Sequence, residues 1–335
     1  MSASWKRRPE GGGRFAMWLL RGIGRHGGRP LARLLLYPIT LYFLLRRGPE
    51  RRASIAFLGR ALGRSADLRD GARHVHAFAS TILDRLFLLD GKESRFRIDV
   101  QGLDALSSKV DEGHGVLMFG SHLGSFEVLR VLSRRRPGLK LRVVLDKAQG
   151  AAVTQLLDAL APEIAAGVID AAQDGPSLML AIQQAAKEGA LIAMLVDRTQ
   201  PGQASVQAPF LGTPAPFPLS PWQIAAVLKL PIVLGFGLYR GGNRYDLLFE
   251  PFSDRLELPR AQRDEAITAL IRRYAARLEH HARHAPYNWF NFYDFWHVDE
   301  ERLHAVRAPA PAGDDLPAGG DVGAGAVRMV AGRRR

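Results

Sequence analysis

The 335-residue chain contains no cysteine, which excludes a disulfide framework, a thiolate nucleophile and a zinc–cysteine site. That composition suits a reducing compartment. A glycine-rich dinucleotide fingerprint and a Walker-type phosphate loop are also missing, so nicotinamide and nucleotide chemistry have no support. There is no internal repeat that would make the chain a solenoid or propeller. Long apolar runs are absent as well. The best, residues 31–45, falls short of the roughly 20 residues of a spanning helix and contains Arg33 and Pro38. No small-residue cleavage site follows it and arginines bracket both ends, so it does not read as a secretory signal.

What is present is a 47% hydrophobic chain able to bury a large core, read as one main domain with appendages. Its formal charge of +13 is unevenly spread. Residues 1–60 hold thirteen Lys or Arg against only Glu10 and Glu50, a surplus of eleven, and leave the remainder close to neutral. A general nucleic-acid-binding domain is therefore a poor description. The basic residues flank the 31–45 run and an earlier apolar cluster at 15–20. This layout fits an anionic membrane surface, with an interfacial or re-entrant anchor favoured over a full span. A buried helix under arginine-rich loops would use the same residues.

Apolar residues at helical intervals over 54–90 predict a helical hairpin, in which His74 and His76 read as packing or capping residues. Beyond residue 96, apolar strands (96–100, 116–119, 141–145, 190–196, 232–239, 245–249) alternate with amphipathic helices (126–134, 151–160, 177–187, 221–229, 264–283). The pattern predicts an α/β fold, a mixed central sheet flanked by helices, behind an N-terminal helical membrane anchor. The expected organisation is a basic membrane-associating segment at 1–53, an α/β domain at 54–307, and a Pro-, Ala-, Gly- and Asp-rich disordered tail at 308–335.

The chemistry-bearing stretch is residues 115–130, Gly-Val-Leu-Met-Phe-Gly-Ser-His-Leu-Gly-Ser-Phe-Glu-Val-Leu-Arg. A buried strand ends at Gly120-Ser121, His122 sits at the exit, and Glu127 follows five residues later. Inside one regular helix these two would lie on different faces; they meet only if His122 precedes the helix and turns back over it. Such a junction can seat a general base and its orienting carboxylate. An N-capping Ser121 with a solvated His122 and a surface Glu127 is the ordinary alternative. His280, His281 and His284, and His297 with Glu300 and His304, have metal-like spacing without the His-Glu-x-x-His order, and read as a solvated polar surface. No metal or other cofactor is implied.

The His-x4-Glu element after an apolar strand resembles the first motif of the lysophospholipid acyltransferase superfamily, in the form found in the late acyltransferases of lipid A biosynthesis. Later segments match that pattern in order. Asp197-Arg198 follows the strand at 190–196, where the resemblance implies Asp-Gln. Pro209-Phe210-Leu211-Gly212-Thr213-Pro214-Ala215 resembles a Phe-Phe-Gly-x-Pro-Ala loop leading into a helix, suited to a wall of an acyl cleft. Residues 285–296 resemble the terminal Pro-x-x-Trp element, but the ending Asn-Phe-Tyr-Asp-Phe-Trp is similar to acyltransferases found with aryl polyene synthesis rather than to lipid A enzymes. Asp146-Lys147-Ala148 replaces an Arg-Pro-x-Asn-like segment, with Lys147 as a stand-in cation.

The resemblance implies O-acyl transfer from an acyl thioester, on acyl carrier protein or coenzyme A, to a membrane lipid, glycolipid or pigment acceptor at the cytoplasmic face of a bacterial inner membrane. His122 would be the base and Glu127 would fix its ring. Gly120 and Gly124 would offer backbone oxyanion donors, and Lys147, Asp197, Arg198, Phe210, Gly212 and Trp289 would line the substrate site. Two rivals stay open: a glycerolipid acyltransferase, with Arg198 reading the acceptor phosphate, and a non-catalytic membrane-surface binding protein.

Overall fold

In the computed structural model, residues 28–296 are described, apart from short stretches within 130–137 and 148–164, residue 201, and 257–259. The apolar cluster at 15–20, most of the helix expected at 151–160, the histidines at 297 and 304, and the tail lie outside the described residues.

Four helices open the described residues: α1 Gly28–Leu34, α2 Leu36–Arg46, α3 Gly48–Leu62 and α4 Leu68–Leu89. The last starts where it does because Asp67 and Asp70 form a reciprocal capping box, Asp67 Oδ1 accepting from the Asp70 N–H at 2.9 Å and Asp70 Oδ2 from the Asp67 N–H at 3.2 Å. Its apolar residues form a buried face against the sheet. The expected hairpin at 54–90 is the α3–α4 pair.

The sheet has seven strands: β1 Arg97–Gln101, β2 Val116–Gly120, β3 Leu141–Leu145, β4 Val168–Asp170, β5 Leu191–Leu195, β8 Ile232–Tyr239 and β9 Arg244–Ser253. Their order is β1-β9-β8-β2-β5-β3-β4. From β8 to β4 all neighbours are parallel; β9 runs antiparallel to β8, and β1 parallel to β9. Every residue of β2 is buried, as a strand covered on both faces must be, which is why it reads as an uninterrupted apolar run. Leu117 and Phe119 enter the core on one side and Val116 and Met118 the core on the other. Further helices among the described residues are α5 Leu103–Asp111, α6 Gly175–Lys187, α7 Ser220–Leu228 and α8 Arg263–His284. The fold is thus α/β, with a mixed seven-stranded sheet flanked by helices. No helix among the described residues is long and apolar enough to cross a membrane.

Two local expectations change. The helix expected over 126–134 begins with a 3-10 turn at Phe126–Leu129, and Leu132, also described, is helical. The loop at 209–215 is a hairpin, strands β6 Ser205–Phe210 and β7 Thr213–Pro218 joined by Leu211 and Gly212 at φ of +51° and +83°. Positive φ at both turn residues matches the twist of an antiparallel pair. Prolines are tolerated because neither strand belongs to the main sheet.

Candidate active site

Strands β2 and β5 are neighbours, yet their connections leave to opposite faces of the sheet. Leu132, after β2, packs in one core, whereas β6, β7 and α7, after β5, pack in the other. In open α/β sheets the crevice outside the carboxyl ends of such strands is where ligands bind. His122 lies just past β2 and Asp197 just past β5, and here they meet.

The imidazole Nδ1 lies 2.8 Å from Asp197 Oδ1. Asp197 Oδ2 accepts from the His122 backbone N–H at 3.0 Å and from the Trp289 indole N–H at 3.0 Å. The Asp197 side chain is fully buried, whereas that of His122 is 36% exposed. Burial alone would raise the Asp197 carboxyl, but His122, Arg198 and the Trp289 N–H outweigh it and hold it well below the usual carboxylate range. An ionised carboxylate only accepts, so the ring proton sits on Nδ1 and the lone pair on Nε2. Burial, with Arg198 pushing the same way against Asp197, keeps the imidazole below its ordinary pKa and hence neutral near pH 7. The result is an oriented, neutral imidazole whose side chain is partly exposed.

This corrects the expected pairing. Glu127 does not hold the His122 Nδ1; its Oε1 pairs with Arg85 Nε at 2.6 Å and its Oε2 accepts from Ser125 Oγ at 3.0 Å. Spacing along one segment suggested Glu127, whereas Asp197 arrives from a strand 75 residues away. The legible signal was its position: a carboxylate closing a fully apolar strand.

The other predicted residues divide in the same way. The Gly120 carbonyl accepts from the Val196 N–H at 3.1 Å and from Tyr274 Oη at 2.9 Å, which fixes the end of β2. The Gly124 N–H donates to Asn288 O at 2.8 Å and is not free for an oxyanion. Gly124 has φ of +81°, and a Cβ there would lie 2.0 Å from Gly237 O, so only glycine lets the loop lie against β8. Arg198 Nη2 donates to Phe290 O at 2.6 Å and its guanidinium covers the Tyr293 ring at 5.4 Å. One donor of its fork is thus engaged with the C-terminal segment, while the buried Nε has no hydrogen-bond partner among the described residues. Phe210 and Trp289 are fully buried and cannot line a substrate surface; Phe210 packs on Trp289 at 5.1 Å between ring centroids. Gly212 is exposed in the hairpin turn, and Lys147 is exposed beyond β3 with its backbone N–H on Asp170.

His281, expected on a solvated face, is buried with Nε2 2.7 Å from Glu250. Arg85, Tyr274, Asn288 and the support of His74 were not singled out as site residues from the sequence, because each acts through a long-range contact. Among the described residues no group of three or more His, Asp or Glu is arranged to hold a metal ion.

No curated protein matches the chain. A family model, bacterial lipid A biosynthesis acyltransferase, matches residues 75–297. That span covers well over half of the chain and contains both His122 and Asp197, as well as the 288–290 segment that clamps them. The chain belongs to the bacterial lipid A biosynthesis acyltransferase family.

Proposed function

We propose that this acyltransferase moves a fatty-acyl group from an acyl thioester, on acyl carrier protein or coenzyme A, to a hydroxyl of a membrane-borne lipid, glycolipid or pigment acceptor. His122 serves as general base. The single observation that carries this reading is the His122–Asp197 pair, a fully buried carboxylate on the Nδ1 of a partly exposed imidazole at the carboxyl edge of the sheet. Nε2 takes the acceptor proton as its oxygen attacks the thioester carbonyl. The tetrahedral intermediate then collapses, the carbon–sulfur bond breaks, and the leaving thiolate receives the same proton from Nε2. Asp197 stabilises the imidazolium formed in between without itself being protonated. Glu127 has a supporting role, neutralising Arg85, whose charge otherwise lowers the His122 pKa further. Neither Ser121 nor Ser125 is assigned a nucleophilic role.

The acceptor is reached from the membrane surface. Leu34, Tyr37, Leu41 and Leu45 fall on one stripe of α1–α2 and are 57–70% exposed. Arg46 and Arg47 close α2, and the basic segment precedes it in the chain. An exposed apolar stripe bordered by arginines suits an interfacial helix on anionic lipid, at the cytoplasmic face of the inner membrane.

The test is transfer of a radiolabelled palmitoyl thioester into bacterial inner-membrane lipid. A folded His122→Ala protein should lose at least about a hundredfold in turnover; turnover near wild type would end the proposal.

A further inference from the structure

We infer that Trp289 is a positioning residue for the base, acting through Asp197 rather than on substrate; this rests on the reading of His122 as base. Among the described residues the Asp197 carboxylate has three donors: the His122 ring, the His122 backbone N–H and the Trp289 indole. Two of the three belong to His122 itself. Without the indole, carboxylate and imidazole could shift together as a unit relative to the sheet. Trp289 is, among the described residues, the donor to this carboxylate that does not belong to His122.

Trp289 is itself immobilised. It is fully buried, and Phe57, Phe210 and Phe295 meet it edge-to-face at 4.9, 5.1 and 4.8 Å between centroids. Its carbonyl accepts from His74 Nε2 at 2.9 Å, and His74 Nδ1 is held by Ser54 Oγ at 2.7 Å. Burial keeps His74 neutral, with its pKa down at about 4, so the Ser54–His74 link persists wherever the base is active. The residues flanking Trp289 grip the backbone of the His122 loop. Asn288 O takes the Gly124 N–H at 2.8 Å, and the Phe290 N–H donates to His122 O at 2.9 Å. One short segment therefore fixes the loop from outside and the carboxylate from behind. The aromatic ending departs from an acceptor-lining role because its central side chain points at the orienting carboxylate.

Trp289→Phe keeps an aromatic ring and deletes the N–H. The probe is turnover of the radiolabelled palmitoyl thioester with inner-membrane vesicles, together with the titration of His122 followed by nitrogen-15 NMR of histidine-labelled protein. Expected are a fall in kcat of about tenfold or more with the thioester KM within about threefold, and a His122 midpoint moved by about half a unit or more. In an Asp197→Asn background the same substitution should change kcat by less than about twofold, because its route of action is gone. A wild-type kcat and His122 midpoint, or the same fold-loss in both backgrounds, would overturn the inference. Where Trp289→Phe fails to fold, 3-benzothienylalanine at position 289 keeps the indole shape without the donor, and the same outcomes apply. The NMR titration needs no turnover. A failure of His122 as base, seen as wild-type activity in His122→Ala, is therefore distinguishable from a failure of Trp289 to act on Asp197.

Discussion

At the scale of single residues, the site rests on one proton's location. With Asp197 ionised and fully buried against Nδ1, the His122 proton stays there and Nε2 is the basic nitrogen. Burial comes first and Arg198 second in lowering the His122 pKa. Because the base must be neutral, activity is present above that lowered pKa and lost as pH falls through it. The expected profile of kcat/KM against pH has its acidic midpoint below 6.5, the ordinary histidine value, and a plateau by neutrality. A midpoint above that value would mean that the Asp197 charge outweighs burial and Arg198. The residue identities His122 and Asp197 were both visible in the sequence, but their partnership was not. Sequence spacing ranks neighbours within a segment, and Asp197 becomes a neighbour only through the β2–β5 ladder, where Gly120 pairs with Leu195.

At the scale of elements, the loop after β2 is shaped by glycine on both sides. Gly124 lies against Gly237 O, and a Cβ on Gly237 would lie 2.2 Å from Ser125 O. Gly124→Ala adds a steric clash to an unfavourable positive φ, and should cost at least about 2 kcal/mol as well as displacing His122; thermal unfolding and turnover read the two effects. A wild-type melting temperature in that variant would show that the loop can move off β8. The apolar stripe on α1–α2 makes a separate expectation. Leu41→Asp with Leu45→Asp should weaken cosedimentation with phosphatidylglycerol vesicles by about tenfold or more, while thermal stability changes little because both side chains are exposed. The long, strongly patterned elements α4, α8, β2 and β8 were legible from periodicity alone. The β6–β7 hairpin was not, since Pro209, Pro214, Pro216 and Pro218 argue against strands unless the pair stands apart from the main sheet. The helix expected after Ser125 starts instead as a 3-10 turn ahead of the helical Leu132, where the Gly124 and Ser125 N–H groups bond to Asn288 and Gly237.

At the scale of the whole molecule, the N-terminal helices and the C-terminal segment converge on the same centre. His74 in α4 is buried and neutral, with a folded-state pKa of about 4 against an ordinary 6.5. The unfolded chain takes up this proton first as pH falls, so the contribution is complete above pH 6.5 and is lost progressively down to about pH 4. The loss is on the order of 3 kcal/mol. Urea denaturation at a series of pH values should show that decline, and His74→Gln should flatten it; an unchanged slope in the variant would assign the decline to other groups. Arg29 adds a second tie, its Nε 2.6 Å from the buried Asp84, which also accepts from Tyr245 Oη at 2.9 Å. The surface helices and the sheet are therefore coupled through buried polar contacts. The charge asymmetry between residues 1–60 and the rest was legible in the sequence, because it needs only a count along the chain. The ties that join the N-terminal helices to the rest of the domain were hidden, since they pair residues far apart along the chain, 215 positions for His74–Trp289 and 161 for Asp84–Tyr245.

The central claim is that Asp197, not Glu127, orients the base, and the two carboxylates can be compared directly under one assay. In transfer of a palmitoyl thioester to inner-membrane lipid, Asp197→Asn should lower kcat/KM by about a hundredfold or more, and Glu127→Gln by less than about tenfold. The reverse order, a folded Asp197→Asn protein near wild-type activity and a Glu127→Gln protein without it, would contradict the claim.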